Sequence, residues 1–465
     1  MTTDYTHPEY DAFLPKWTKV RDACAGEEAI KAKGVTYLPD PGEADTDANL
    51  RERRYRNYVR RACYYNATGR TLSGLVGVAF ANWPQIYVGP AKVLLSDASG
   101  SGVGLINQSQ GVLANVLQTG RSGLLTDFTR IEEADRIRPR TVAQVEAAGG
   151  RPFISPYEAE QILTWEVTDR GALSRVVLRE SHTQYVGGQV QYVPQLRELI
   201  LIEGKYCIVI WRRLTEKGAF IETDRIQTSR DFIPFAFIGA TNNDVTPDKP
   251  PLLDLADLNL HHYCNSADYE ESVFLMGQPQ LVVTGIDEEW KEKAGTISIG
   301  ARAALVLPVN GDAKILQVAP NTLAKEAMDA KQEQMQQLGA KLLATGGTAI
   351  TATQSASETK ATYSILSLAC DNVSDAYTTA LQWAGVYAGG TSKAVFAIDT
   401  RFNDLTLDAN AIRETVAAWQ AGIVPQSDAW AVLRKLNVID QGKTDAKIAS
   451  EIEGQGPQLN LDEAA

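Results

Sequence analysis

Histidine and cysteine are scarce in this chain, at four and five of 465 residues. Metal centres are built largely from these side chains, so few places could hold one. The cysteines (Cys24, Cys63, Cys207, Cys264 and Cys370) are scattered without a CxxC pair. They read as idle or core thiols, not as a disulfide or zinc framework. His261, His262 and Cys264 stand close together. Adjacent helical residues point about 100° apart, so the two histidines do not easily share one metal. His7 lies in a polar terminus and His182 in a strand-like stretch, and neither suggests a triad. Long apolar runs are missing too, so no bilayer span and no membrane partner are expected. Met1 to Tyr10 is polar without a signal-peptide core, and the expectation is a cytosolic protein. Positive charge is short: 45 Lys and Arg face 57 Asp and Glu, a net charge of −12. Proteins that grip duplex DNA usually carry a basic face. DNA, if present, should slide past.

Motifs for chemistry are equally thin. Ser99-Gly100-Ser101-Gly102-Val103-Gly104 lacks the Lys-Ser/Thr and the Gly-x-Gly-x-x-Gly spacing of a phosphate loop. It reads as a loop feeding a helix over Leu105 to Gly120. Ser357-Glu358-Thr359-Lys360 matches Ser-x-x-Lys, but Ser-Asp-Asn and Lys-Thr-Gly are absent. It reads as a helix start, with Ser357 as N-cap and Glu358 in the first turn. Asp268, Glu270 and Glu271 lack the converging acids and lysine of a metal nuclease. They read as solvated or channel-facing carboxylates. No catalytic, cofactor or metal residue is assigned, and no enzyme is expected.

What remains is an ordinary globular composition, 44% hydrophobic and 22% charged, enough for two or three domains. The first stretch, to about Pro90, is mainly helical, with an acidic loop at Asp40 to Asp47. Arg51 to Tyr65 is a basic helix with Tyr55, Tyr58, Val59, Cys63 and Tyr64 interleaved. That stripe favours solvated or inter-subunit ion pairs over a nucleic-acid face. Thr71 to Phe80 carries Gly74, Gly77 and Ala79, which would permit close helix packing. Gln85 to Val88 can be a short strand.

Strand signals run from Leu124 to Ile238: Leu173 to Arg179, Thr183 to Val193 with a Gly187-Gly188 turn, Leu196 to Ile202, Tyr206 to Leu214 and Ala219 to Glu222. Their short turns force antiparallel neighbours, so the class is α+β with a meander sheet. Next come a helix over Leu252 to Met276, opened by Pro250-Pro251, and a mixed unit over Pro279 to Pro320. A helix over Leu323 to Leu343 leads to an uncharged Gly/Thr/Ser loop. A helix from Glu358 to Tyr387 follows, about 30 residues and about 45 Å long. Ala394 to Arg401 reads as a strand, Leu407 to Gln420 and Gln426 to Leu436 as helices, and the tail from Gln441 as mobile.

At this point the chain resembles a known family. Pro250-Pro251-Leu252-Leu253-Asp254-Leu255-Ala256-Asp257-Leu258-Asn259, Ser266-Ala267-Asp268-Tyr269-Glu270 and Pro279-Gln280-Leu281-Val282-Val283-Thr284-Gly285 are similar to the stem and clip of tailed-bacteriophage portal proteins. Tyr64 to Gly77 resembles that family's wing helices, and Arg151-Pro152-Phe153 with Tyr157 to Ile162 resembles the start of its wing sheet. Ala421-Gly422-Ile423-Val424-Pro425 and Leu436-Asn437-Val438-Ile439-Asp440 resemble its closing helical crown. The matches fall in the family's order.

The resemblance implies a portal-like α+β fold: a helical stem with a small α/β clip, a wing with an antiparallel sheet and a long spine helix, and a C-terminal helical crown. By residue these are wing helices 1–130, the wing β region 131–250, the descending stem helix 251–277, the clip 278–321 and the returning stem helix 322–343. A channel loop 344–357, the spine helix and return strand 358–407, the crown 408–440 and a flexible tail 441–465 complete the chain. The channel loop would present Thr345, Gly346, Gly347, Thr348, Thr351, Thr353 and Ser355. Lys331 and Lys341 would be channel-facing stem residues, or would pair with a neighbour's acids. Asp287, Glu288, Glu289, Lys291 and Lys293 belong to the clip.

The implied function is a ring, typically of twelve copies, at one capsid vertex of the virion, assembled in the host cytoplasm. Double-stranded DNA would pass through it during packaging and ejection. The implied partners are the large terminase subunit, a head–tail adaptor, and the major capsid and scaffolding proteins, with no cofactor. The alternative is another head–tail connector or baseplate ring without a DNA-translocating stem. More remote is a metal- or nucleotide-dependent enzyme.

Overall fold

The computed structural model describes residues 5–42, 46–129, 149–213, 218–277, 280–285, 307, 310–316, 322–343, 364–390, 393–400, 409–435, 439 and 443–453. Met1–Asp399 and Thr400–Ala465 are two compact units.

The first unit opens with helices. α1 (Pro8–Ala25) starts on Pro8, which needs no N–H there, and His7 Nδ1 accepts from the Glu9 N–H. α2 (Glu27–Ala32) and α3 (Ala48–Arg61) follow, the latter capped by Asp47. The basic helix therefore ends at Arg61, with Tyr64 and Tyr65 beyond it. α4 (Ala67–Ala79) begins at the Asn66 cap. The close packing that Gly74 and Gly77 would permit is not seen among the described residues, for none has an atom within 4 Å of where a Cβ would stand on either. The tight approach is one turn earlier: a methyl on Gly69 would lie 2.5 Å from the Cys24 carbonyl oxygen.

β1 (Gln85–Tyr87) precedes α5 (Leu105–Thr119), which ends in the left-handed Gly120. The loop before α5 is closed on itself. Gly100 donates to Asp97 Oδ1 at 2.7 Å, and Arg151 pairs with the same carboxylate at 2.8 Å. The carboxylate that these loop donors meet belongs to the chain itself.

The sheets come next: β2 (Arg121–Phe128), β3 (Pro152–Glu158), β4 (Ile162–Val167), β5 (Leu173–Val186), β6 (Gln189–Ile202), β7 (Lys205–Arg212), β8 (Ile221–Gln227) and β9 (Phe235–Gly239). They form an antiparallel trio in the order β3-β2-β9 and an antiparallel meander β4-β5-β6-β7-β8. β5 runs unbroken for 14 residues, so Leu173 to Arg179 and Thr183 to Val186 belong to one strand. The polar Glu180-Ser181-His182 interrupts the apolar pattern, but backbone pairing with Gln195, Pro194 and Val193 continues through it. Tyr10 and Trp17 of α1 pack with Trp165, Val176, Leu199, Ile208, Phe235 and Phe237 in the main core.

α6 (Leu253–Met276), β10 (Gln280–Thr284), β11 (Asp312–Leu316), α7 (Leu323–Leu343), α8 (Ile365–Tyr387) and β12 (Val395–Ala397) complete this unit. β10 pairs with β11 and β1 with β12, both antiparallel. α8 is buried along Leu366, Cys370, Val373, Tyr377, Ala380 and Ala384, and packs on β2, β9, β12 and α5.

It begins later than the sequence suggests. Ser364 is extended, and its hydroxyl accepts from the Ser367 N–H, so Ser364 is the N-cap of α8; Ser357 and Glu358 lie outside the described residues. The helix has 23 residues, about 35 Å. Thr378 Oγ1 donates to the Phe396 carbonyl and accepts from its N–H. The helix thereby holds β12, which is three residues long, shorter than Ala394 to Arg401.

In the second unit, α9 (Ala409–Gln420) and α10 (Gln426–Lys435) pack together across the Gly422 turn. α11 (Asp445–Glu453) occupies the segment expected to be a mobile tail. Lys443 pairs with Glu451 at 2.6 Å, and Ile448 is buried.

Candidate functional site: a helix pair held at one end

α6 and α7 pack along each other. Their far ends are joined through the antiparallel β10–β11 pair. Their near ends both meet α4, at Thr68 through Asn259 and at Thr71 beside Gly339. The two helices are therefore antiparallel.

The near half of α6 is bound into the body by a mixture of apolar and polar contacts. Leu253, Leu255, Ala256, Leu260, Tyr263 and Ala267 are buried. Leu260 and Tyr263 share a core with Ile30, Leu38, Tyr58 and Tyr64. Lys19 of α1 pairs with Asp257 at 2.7 Å. Ser266 Oγ accepts from the Cys63 N–H at 2.9 Å and donates to its carbonyl at 2.6 Å. The Tyr58 hydroxyl donates to Asp268 at 2.5 Å, and Arg61 pairs with Glu271. Asp268, an exposed residue, and the half-buried Glu271 thus pair with donors that α3 of their own chain supplies.

Asn259 is fully buried and makes four hydrogen bonds in this joint. A helix start leaves four N–H groups without intrahelical partners. In α4, Asn66 takes the Gly69 N–H at 2.8 Å. Asn259 Oδ1 takes the N–H groups of Ala67 and Thr68 at 3.1 Å each, and the Thr68 hydroxyl at 3.0 Å. Its amide nitrogen donates to the Tyr65 carbonyl at 2.8 Å.

His262 is buried three residues further on, and its Nδ1 has no hydrogen-bond partner among the described residues. Burial pushes the imidazole below its ordinary 6.5; Lys331 adds to that and Asp329 opposes it. Lys331 is half-buried, on the side of α7 nearest α6.

The far half is different. Val273, Phe274 and Leu275 of α6 and Leu323 of α7 are exposed, Leu275 at 59% and Leu323 at 71%. Arg61 lies over the Phe274 ring at 4.3 Å. α7 presents Gln332, Glu333, Gln334, Gln336 and Gln337 outward, with Met335 and Leu342 buried. Beside Met335, a groove of about 320 Å³ runs against Thr71, Leu75 and Val78 of α4.

With this geometry in place, the chain can be set beside known proteins. Residues 251–388 match a family model described as "Domain of unknown function (DUF4055)". The matched span opens at α6 and closes after α8, taking in the helix pair. No curated protein matches the chain. Among solved structures, a chain from "Virion of native gene transfer agent (GTA) particle" aligns with 14% identity and a TM-score of 0.41. The alignment covers 81% of this chain and 92% of that one.

Not every expected site residue can be placed. Lys341 lies in α7, and its side chain is outside the description. Thr345, Gly346, Gly347, Thr348, Thr351, Thr353 and Ser355, and the clip residues Asp287, Glu288, Glu289, Lys291 and Lys293, lie outside the described residues. Among the described residues, no group of three or more His, Cys, Asp or Glu could hold a metal ion. No helix there is long and apolar enough to cross a membrane.

Sequence reasoning missed Asn259, Ser266 and the cap at Ser364. The available signal for Asn259 was a single amide inside the apolar face of α6.

Proposed function

We propose that this chain is the subunit of a portal-type ring at a virion vertex, with α6 and α7 as its stem. One observation carries the reading: an antiparallel helix pair, bound to an α+β body at one end, with exposed apolar side chains at its far end. Leu275 and Leu323 gain partners when copies stand side by side. The order of sequence resemblances supports the same reading, with β10 and β11 in the clip, α8 as spine and α9 and α10 in the crown. Double-stranded DNA would pass along the axis, past an uncharged loop at residues 344–357. Such a loop adds little phosphate affinity and lets the cargo move. The ring itself would be non-catalytic, and a terminase docked at the clip would hydrolyse ATP. Adaptor and capsid proteins would bind other faces.

Electron microscopy of the purified chain, with mass in solution alongside, tests this. Rings of about twelve copies with an axial hole are the expected result. A two-fold dimer with an enclosed ligand pocket overturns it. Deleting Gly346 to Ala352 should leave rings intact and impair DNA packaging or retention; loss of assembly would count against the channel-loop assignment.

A further inference from the structure

We propose that Arg121 holds a single small inorganic anion, of the chloride class, in the core where β2 begins. The site is independent of the ring reading and stands close to the start of α6.

Arg121 is the first residue of β2 and is 1% exposed. Its guanidinium is held in place by one hydrogen bond and two rings. Nη1 donates to the Val245 carbonyl at 2.8 Å. The guanidinium carbon lies 4.0 Å from the centre of the Trp165 ring and 4.5 Å from that of Phe237. The other two nitrogens, Nε and Nη2, are buried and have no hydrogen-bond partner among the described residues. Their N–H bonds share one edge of the planar fork. Arginine grips anions along such an edge, with two hydrogen bonds side by side.

The charge lacks a partner as well as the donors. Burial pushes Arg121 down to about 9, which still leaves it a cation at neutral pH. Glu9, Asp244 and Asp248 oppose that shift, but none of them pairs with Arg121 among the described residues. They are engaged elsewhere. Asp244 accepts from the Thr246 N–H at 2.8 Å, Asp248 accepts from the Thr241 N–H at 2.8 Å, and Glu9 stands 3.8 Å from His7. The two ring faces attract a cation. They offer no lone pair to an N–H, and a buried charge without a counter-charge is costly. An anion on the Nε and Nη2 edge satisfies the donors and balances the charge; a water molecule satisfies the donors alone.

The depth of the site sets the size of the ligand. At 1% exposure, only a species of one or a few atoms reaches this edge. A peptide carboxylate or a nucleotide phosphate brings too much attached bulk. The anion also has a structural consequence. It fixes Arg121, Arg121 fixes Val245, and the same loop is tied to α8 where Asn243 donates to the Asn372 carbonyl at 2.9 Å. Occupancy therefore steadies the stretch that leads from β9 into α6.

Crystals of the full chain transferred into sodium bromide test the site directly. An anomalous bromide peak beside Nε and Nη2, in the plane of the guanidinium, is expected. Density there without an anomalous signal is water and overturns the anion, as does the absence of density. In solution, chloride is exchanged for gluconate at constant ionic strength. The unfolding temperature should rise with chloride by about 2–4 °C and then level off. Arg121→Met, which removes the cation at similar volume, should lose that rise. A rise without a plateau, or an equal rise in Arg121→Met, overturns the site. If Arg121→Met does not fold, the bromide peak decides alone.

Discussion

Asn259 of α6 satisfies the start of α4 at Thr68, 191 residues earlier in the chain. One buried amide thus fastens the long helix to the N-terminal helices. Asn259→Ala would leave the Ala67 and Thr68 N–H groups and the Tyr65 carbonyl unpartnered inside the protein. Each such group costs about 1–3 kcal/mol. The expected loss is about 2–4 kcal/mol, read as a lower urea midpoint at unchanged slope. A midpoint equal to the parent's would show that α4 does not depend on this cap.

A second polar joint lies in the sheet. Arg197 bonds Glu180 at 2.7 Å and reaches Asp127 at 3.5 Å; Tyr157 and Gln195 also donate to Glu180. Burial opposes ionisation of Glu180, but Arg197 and these donors outweigh it and hold the carboxyl below its ordinary 4.5. Arg197→Met should cost about 3 kcal/mol, because two carboxylates stay in the interior without their cation. Denaturant unfolding at neutral pH measures this, and a further drop in pH should narrow the gap as Glu180 takes up a proton.

His262 makes stability depend on pH. Its folded value lies below 6.5, from burial first and Lys331 second, so the folded chain holds it neutral. The unfolded chain takes up a proton near 6.5 and therefore binds more protons in acid. This contribution is present above about pH 6.5 and is lost as pH falls below it. His7 is shifted the same way, by burial first, with Arg121 adding and Glu9 opposing. Unfolding midpoints from pH 8 to 5 should decline, and His262→Gln should flatten part of that decline. An identical profile in the variant would assign the slope to other groups.

Glycines at two places should respond in opposite directions. Gly120 has φ +68°, and a methyl there would stand 2.4 Å from the Asp248 carbonyl oxygen. Gly120→Ala should cost about 2 kcal/mol or more from strain and overpacking together. Gly77 lies inside α4, and no atom of the described residues comes within 4 Å of where its Cβ would stand. Gly77→Ala should stabilise the isolated chain by about 0.5–1 kcal/mol. Thermal unfolding of the two variants side by side gives the sign of each.

The local periodicities in this sequence were legible where one physical cause dominated. Leu323 to Leu343 is bounded as its pattern suggests, and Leu252 to Met276 differs by one residue at its start. Gly187-Gly188 marks the turn between β5 and β6 because both residues take positive φ. Reading failed where a distant partner decides the outcome. Nothing local says that Asp268 and Glu271 face Tyr58 and Arg61, or that Asn259 meets Thr68. Ser364 was overlooked because Ser357-Glu358 carries a cap signal of the same kind earlier in the chain. In β5, a polar interruption looked like a strand end until pairing with β6 carried the backbone through it.

The uneven anchoring of α6 makes it a beam fixed at one end. Beyond Glu271, from Ser272 to Met276, the overhang is about 7.5 Å at 1.5 Å per residue. A sideways load at Leu275 becomes a torque about the joint where Ser266 holds Cys63 and Arg61 holds Glu271. The reaction to that torque falls on α3 and α4, so a push at the tip is felt as strain between the first hundred residues and the middle of the chain.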